Sequence, residues 1–267
     1  MKNNKKPIGV FDSGVGGLTV VGALVRTLPG EDIVYLGDTA RVPYGIKSKE
    51  TVTRFSLECT RFLEKFGIKL AVIACNTASS FSLTALKKNF DFPVIGVIGP
   101  GVEEACRTTE NHRIGVIGTK ATVRSGAYVG GIKKTAPRAR VFQKACPLFV
   151  PLVEEKWVDN PVAKKIAAIY LDGLKKADVD TIILGCTHYP LLKGVIKKFF
   201  GKHMRIVDSS LSVSNAVKTF LDENNLSNTG AGKGKVRAFV TDDPDSFKGI
   251  ARLFLKKDIS VRKVALS

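Results

Sequence analysis

The chain has 267 residues, 44% of them hydrophobic, with 42 Lys and Arg against 24 Asp and Glu and a formal charge of +18. This is enough apolar material for one large core or two ordinary ones. No apolar stretch reaches the ~20 residues of a bilayer span, so the composition argues against a transmembrane protein.

In chain order, the basic start Met1 to Lys6 lacks the apolar core of a signal peptide, and we expect a soluble, cytoplasmic protein. A strand from Pro7 to Asp12 leads into the Gly-rich turn Ser13-Gly14-Val15-Gly16-Gly17 and a helix over about Leu18 to Thr27. A second strand, Asp32 to Gly37, is followed by the loop Asp38 to Gly45 and a long helix over about Ser48 to Phe66. A third strand ends at Cys75, then a helix runs to about Asn89 and a short strand from Pro93 to Val97.

The cycle then restarts. Arg113 to Thr119 echoes Lys6 to Asp12, and the strand ending at Cys186 echoes the strand ending at Cys75, at a near-equal offset along the chain. Between them lie a strand over about Ala139 to Lys144 and a helix over about Pro161 to Lys176. Matching offsets point to an internal duplication. Beyond Asp208 come a helix (Ser212 to Glu223), a polar Gly-rich stretch, a strand (Val236 to Thr241) and a helix (Asp245 to Leu255). This tail is too short for a domain, and we expect it to cross back and complete the first sheet. The fold expected is α/β, with two pseudo-symmetric Rossmann-like lobes, mostly parallel sheets and an active-site cleft between the lobes. The first lobe is 1–97 plus 209–267 and the second is 98–208.

The five cysteines (59, 75, 106, 146, 186) are odd in number, scattered and without a C-x-x-C pair. That argues against a disulfide framework, a zinc site and a thiol redox motif. Cys59, Cys106 and Cys146 read as small buried hydrophobes. Cys75 and Cys186 stand at strand tips followed by small polar residues, where α/β sheets place ligands. A helix N-terminus following each would favour thiolate. Two such thiols, one per half, suit chemistry with a base on each side of a carbon atom.

Asp12 at the tip of the first strand would reach the same cleft, or cap the following helix. The turn after it is not G-x-G-x-x-G and no G-K-[ST] follows, so dinucleotide or nucleoside-triphosphate binding is weakly supported. Amides at that turn suit a carboxylate equally well. His188 would share a face with Cys186 if the chain is still extended there. Glu154, after an apolar run, would orient that histidine or form a surface ion pair; His112 and His203 read as incidental. Lysine pairs such as Lys87-Lys88, Lys197-Lys198 and Lys256-Lys257 fit solvated helix faces. With no aromatic-basic RNA motif or DNA-reading element, no nucleic-acid partner is expected, although the charge permits attraction of an anionic substrate.

Four segments, Asp12-Ser13-Gly14-Val15-Gly16-Gly17-Leu18, Asp38-Thr39-Ala40-Arg41-Val42-Pro43-Tyr44-Gly45, Ala74-Cys75-Asn76-Thr77-Ala78-Ser79 and Gly185-Cys186-Thr187-His188-Tyr189-Pro190, together resemble glutamate racemases of the cofactor-independent aspartate/glutamate racemase family. The resemblance runs from Ile8 to about Leu255. It implies interconversion of L- and D-glutamate for peptidoglycan with neither pyridoxal phosphate nor metal, in a cytoplasmic homodimer. It implies Cys75 and Cys186 as the acid/base pair, Asp12 assisting the first thiol, and His188 with Glu154 assisting the second. Substrate contacts implied are Asp12, Ser13, Tyr44, Gly45, Asn76, Thr77, Thr187 and His188. A histidine at 188, where relatives acting on aspartate carry an acid, implies the glutamate type. One departure is Lys156, where a glycine is common after the acidic pair. Readings outside this one are a racemase or decarboxylase of the same superfamily, a nucleic-acid-binding regulator and a thiol redox protein.

Overall fold

The computed structural model describes residues 3–230, 232–255 and 259–266; the Lys256-Lys257 pair lies outside them. The strands are β1 (Ile8–Asp12), β2 (Ile33–Gly37), β3 (Leu70–Ile73), β4 (Val94–Gly96), β5 (Arg113–Gly118), β6 (Arg140–Ala145), β7 (Thr181–Gly185), β8 (Arg205–Asp208), β9 (Val236–Val240) and β10 (Val261–Lys263). They form a six-stranded sheet, β10-β9-β2-β1-β3-β4, and a four-stranded one, β6-β5-β7-β8. Every pairing among them is parallel. This is the expected fold class.

The duplication is visible in the topology. The order β2-β1-β3-β4 in the first sheet repeats as β6-β5-β7-β8 in the second. Cys75 follows β3 and Cys186 follows β7, equivalent positions in the two copies. The inner strands read as unbroken apolar runs because helices cover both faces of a parallel sheet: β1, β2, β3 and β7 are buried at every residue. β6, at an edge, is half-exposed and carries Arg140, Gln143 and Lys144. β9 and β10 extend the first sheet beyond β2, so the C-terminal segment returns to the lobe where the chain began.

The helices are α1 (Leu18–Thr27), α2 (Lys49–Glu64), α3 (Asn76–Asn89), α4 (Ile98–Thr108), α5 (Lys120–Ser125), α6 (Ala127–Thr135), α7 (Phe149–Glu154), α8 (Pro161–Lys176), α9 (Lys193–Phe200), α10 (Ser209–Glu223) and α11 (Pro244–Leu255). The sequence pattern predicts a single helix, α8, in the second repeat; α4, α5, α6, α7 and α9 are additions, as are β8 and β10. Most are short, and a short helix shows too few turns for its period to stand out. Several begin at a cap legible in the sequence. Ser48, Asn160 and Asp208 accept the amides of Thr51, Ala163 and Ser210, the role these side chains fill at helix starts. α10 packs on both α1 and α4, and α4 on α6, which joins the two lobes.

Candidate active site

The C-terminal tips of the two sheets face one cavity of about 280 Å³. The first lobe lends Ser13 and Gly14 after β1, Val42 to Ile46 from the loop after β2, and Cys75, Asn76 and Thr77 after β3. The second lends Thr119 and Lys120 after β5, Pro147, Val150, Pro151 and Glu154 around α7, and Cys186, Thr187 and His188 after β7. All the site residues singled out in the sequence therefore line one cavity, Asp12 excepted. Asp12 is fully buried behind the wall. Thr119, Lys120 and the Pro147–Pro151 wall escaped sequence reasoning. Thr119 had a signal: aligning Gly115 with Gly9 sets Thr119 opposite Ser13 in the duplicated strand.

Each thiol has its own surroundings. Cys75 is the N-cap of α3, and its Sγ accepts the Ala78 N–H at 3.5 Å. It also lies 3.6 Å from Ser13 Oγ. The helix N-terminus acts on the thiol as the sequence suggests, through the Ala78 amide, but it is outweighed. Burial, then the negative charge of Asp12, pushes the thiol up to about 12, against the Ala78 amide and the Ser13 hydroxyl. Burial of a charge outweighs two hydrogen bonds to it.

Asp12 is itself held above the usual carboxylate range by burial, opposed by the charge of His188 and the amides of Gly14, Gly17 and Ser13. Its Oδ2 accepts the Gly14 N–H at 3.0 Å, and its buried Oδ1 has no partner. The Tyr35 hydroxyl donates to the Gly14 carbonyl at 2.5 Å and pins the same turn from below.

Cys186 is served by His188, whose Nδ1 lies 3.9 Å from Sγ while Nε2 meets Glu154 Oε1 at 3.1 Å. The backbone between them is not extended, as the shared-face argument required: it bends after Gly185, and His188 has φ −81° and ψ −30°. The bend, not strand alternation, folds the ring back onto the thiol. Burial disfavours the charged ring, but the hydrogen bonds and charges of Cys186 and Glu154 prevail and lift its pKa to about 10. At neutral pH His188 is thus an imidazolium holding a proton between the two. Gly16 makes room for it: a Cβ there would sit 2.3 Å from Thr187 Oγ1 and 2.6 Å from His188 Nδ1. Phe254 of α11 stacks edge-on against the ring at 5.8 Å.

Polar contacts cross between the lobes around the cavity. Thr77 Oγ1 lies 3.0 Å from Thr119 Oγ1 and 3.2 Å from Thr122 Oγ1. The Tyr128 hydroxyl donates to Asn76 Oδ1 at 2.7 Å, and Arg124 donates to the Lys47 carbonyl at 3.0 Å. Gly45 fits directly against Thr119, where a Cβ would come to 2.8 Å of its Cβ. In the loop bearing Tyr44 and Gly45, Asp38 accepts from the Tyr44 hydroxyl (2.5 Å), Arg41 (2.7 Å) and Thr241 (3.0 Å), while Arg41 also pairs with Glu58. Cys59 is buried within reach of Tyr44 and Arg41, and burial raises its pKa. Cys146 is also buried, and Cys106 is partly so.

Two lobes of repeated topology, each presenting a thiol and small polar groups to a shared pocket, have the arrangement of an enzyme cleft. The Asp/Glu/Hydantoin racemase family matches residues 8–213, and the chain belongs to that family: it is an amino-acid racemase. A glutamate racemase of Persephonella marina is 53% identical over 97% of each chain. Among solved structures, a glutamate racemase isoform from Bacillus anthracis superposes with a TM-score of 0.95 at 41% identity over 98% of each chain. That from Francisella tularensis, in complex with D-glutamate, gives 0.92 at 38% over 98% of each chain. Among the described residues no helix is long and apolar enough to cross a membrane.

Proposed function

We propose that this protein is a glutamate racemase that inverts Cα by a two-thiol exchange of protons. The observation that carries the reading is the pair Cys75 and Cys186, placed by duplicated strands on two lobes of one cavity. The names of the relatives supply the substrate.

The Cα–H of an amino acid is a weak acid, so the protein must stabilise carbanion character by hydrogen bonds aimed at the carboxylates. Ser13, Asn76, Thr77 and Thr187, with the amides of their turns, supply donors. One cysteine, as thiolate, takes the Cα proton to become a thiol, and the electron pair left on Cα takes a proton from the other cysteine on the opposite face. That cysteine becomes the thiolate, so charge and protons balance and the enzyme is left in the mirror state. Cys75, with its pKa near 12, rests as the thiol and donor. For the other enantiomer it must become the base, and Asp12, its carboxyl pKa raised by burial, is the acceptor beside it. His188, backed by Glu154, exchanges a proton with Cys186. We further read the active form as a cytoplasmic homodimer supplying D-glutamate for peptidoglycan, on the strength of the family resemblance.

Circular dichroism of L-glutamate with the protein alone tests the reading: the signal should decay to zero. Cys75→Ala and Cys186→Ala should each abolish racemisation, since inversion needs both faces served; near-normal turnover by either variant would refute the two-thiol mechanism. Asp12→Asn should slow both directions by the ~10²–10⁴-fold typical of a lost proton-transfer partner. It should hold or raise Tm, because it keeps an acceptor for Gly14 and removes a buried charge. Wild-type kinetics would remove Asp12 from the mechanism.

A further inference from the structure

Tyr128 does not line the cavity, yet its hydroxyl is bonded to a residue that does. It sits on α6 of the second lobe, fully buried. Its ring packs against Gly185, one residue before Cys186, where an added Cβ would lie 3.2 Å from Tyr128 Cε2 and 2.7 Å from the Ile117 carbonyl. From there the hydroxyl reaches the first lobe and donates to Asn76 Oδ1 at 2.7 Å. Asn76 adjoins Cys75 and lines the cavity. With its oxygen taken by Tyr128, its Nδ2 is buried and has no partner.

We infer that Tyr128 is a positioning residue: it fixes the Asn76 carboxamide so that the Nδ2 end, and not the oxygen, is offered to a carboxylate of the substrate. The inference rests on the glutamate reading above. A carboxamide is nearly symmetric in shape and opposite in polarity at its two ends. A phenol can donate or accept, but it donates far better than it accepts, so its bond to the carboxamide oxygen is preferred to one from the nitrogen and sets which end faces the ligand. Burial holds Tyr128 well above the usual phenol range, so it stays a donor at every working pH. A free carboxamide would spend part of its time with oxygen toward the anion, which repels it. Preorganised donors avoid that loss. The bond also ties the strand tip behind one thiol to the residue beside the other, across the lobe boundary.

A double-mutant cycle tests this. KM and kcat are measured with L- and D-glutamate for wild type, Tyr128→Phe, Asn76→Ala and the double variant. Tyr128→Phe, which preserves the ring, should raise KM about tenfold for both enantiomers with kcat within about threefold, the scale of one misdirected hydrogen bond to a charge. In the Asn76→Ala background the same change should alter KM less than about twofold, because the effect acts through Asn76. Where turnover of the Asn76 variants is too slow, calorimetric Kd values for D-glutamate complete the same cycle. A Tyr128→Phe variant with wild-type KM, or one whose loss persists undiminished without Asn76, would show that the hydroxyl only packs the interface. A wild type without racemisation would overturn the glutamate reading and this inference together. Normal wild-type turnover with an unaffected Tyr128→Phe overturns the inference alone.

Discussion

His188 is buried and charged, and both conditions are kept by two partners. Its ordinary pKa is 6.5 and its folded pKa about 10, so the folded state binds the proton more tightly than the unfolded one. The stability this confers is full below about pH 6.5 and is lost as pH rises through about 10. Cys75 adds to the loss above its ordinary 9.0, since its folded value is near 12 and the unfolded thiol ionises first. Urea unfolding at intervals between these limits should therefore show stability falling with pH. Glu154→Gln, which keeps an acceptor for the ring but removes the negative charge facing it, should flatten the first part of that fall. A wild-type profile that rises over this range would mean that His188 is neutral in the fold. Neither value could be read from the sequence, where only the residue types and their spacing were visible.

α7 is short, yet it carries Glu154 to His188. Its end has the geometry of a Schellman motif: the Trp157 amide reaches the Leu152 carbonyl at 2.7 Å and the Lys156 amide reaches that of Val153 at 3.0 Å. The motif needs a left-handed residue, usually glycine, and here Lys156 fills it with φ 63°. This is the position where the resemblance anticipated glycine. Lys156→Gly should stabilise the protein by about 0.5–1 kcal/mol, the left-handed cost of an L-residue less the entropy that glycine adds to the unfolded chain. Thermal unfolding measures it, and racemisation should be retained because Glu154 keeps its place. A lower Tm would mean that the lysine side chain contributes more than its backbone costs. The motif itself was hidden in the sequence, because a lysine gives no sign that its φ is positive.

At the scale of the molecule, the end of the first sheet opposite the cavity is held by a buried ion pair. Lys69 Nζ lies 2.5 Å from Glu31 Oε2, a contact of charge rather than an aligned hydrogen bond. The same ammonium donates to the Asn4 carbonyl at 2.8 Å and to the Leu226 carbonyl at 2.7 Å. Glu31 Oε1 accepts the Asn228 amide at 2.8 Å. The pair thus sews the returning segment after α10 to β3 and to the start of the chain. Lys69→Met should cost about 3–5 kcal/mol in urea unfolding, since it strands a buried carboxylate. Replacing both residues, Lys69→Met with Glu31→Leu, should recover much of that loss. Equal stability of the single variant and wild type would show that water already reaches Glu31.

The fold class, the duplication and the two catalytic candidates were legible in the sequence because they rest on local signals. Apolar runs mark strands buried on both faces, and a cysteine followed by small polar residues breaks such a run wherever it occurs. Thr119 carried a local signal too, since aligning Gly115 with Gly9 sets it opposite Ser13, but it was not recognised from the sequence. What depends on contacts between distant segments was decided only in three dimensions. Asp12 stands behind the wall and not in it, and Cys75 is pushed up by burial despite its helix. His188 reaches Cys186 through a bend, and Tyr128 reaches Asn76 from the other lobe. A pKa and a hydrogen-bond partner are set by what the rest of the chain packs around a group, and that packing exists only once the lobes have closed on each other.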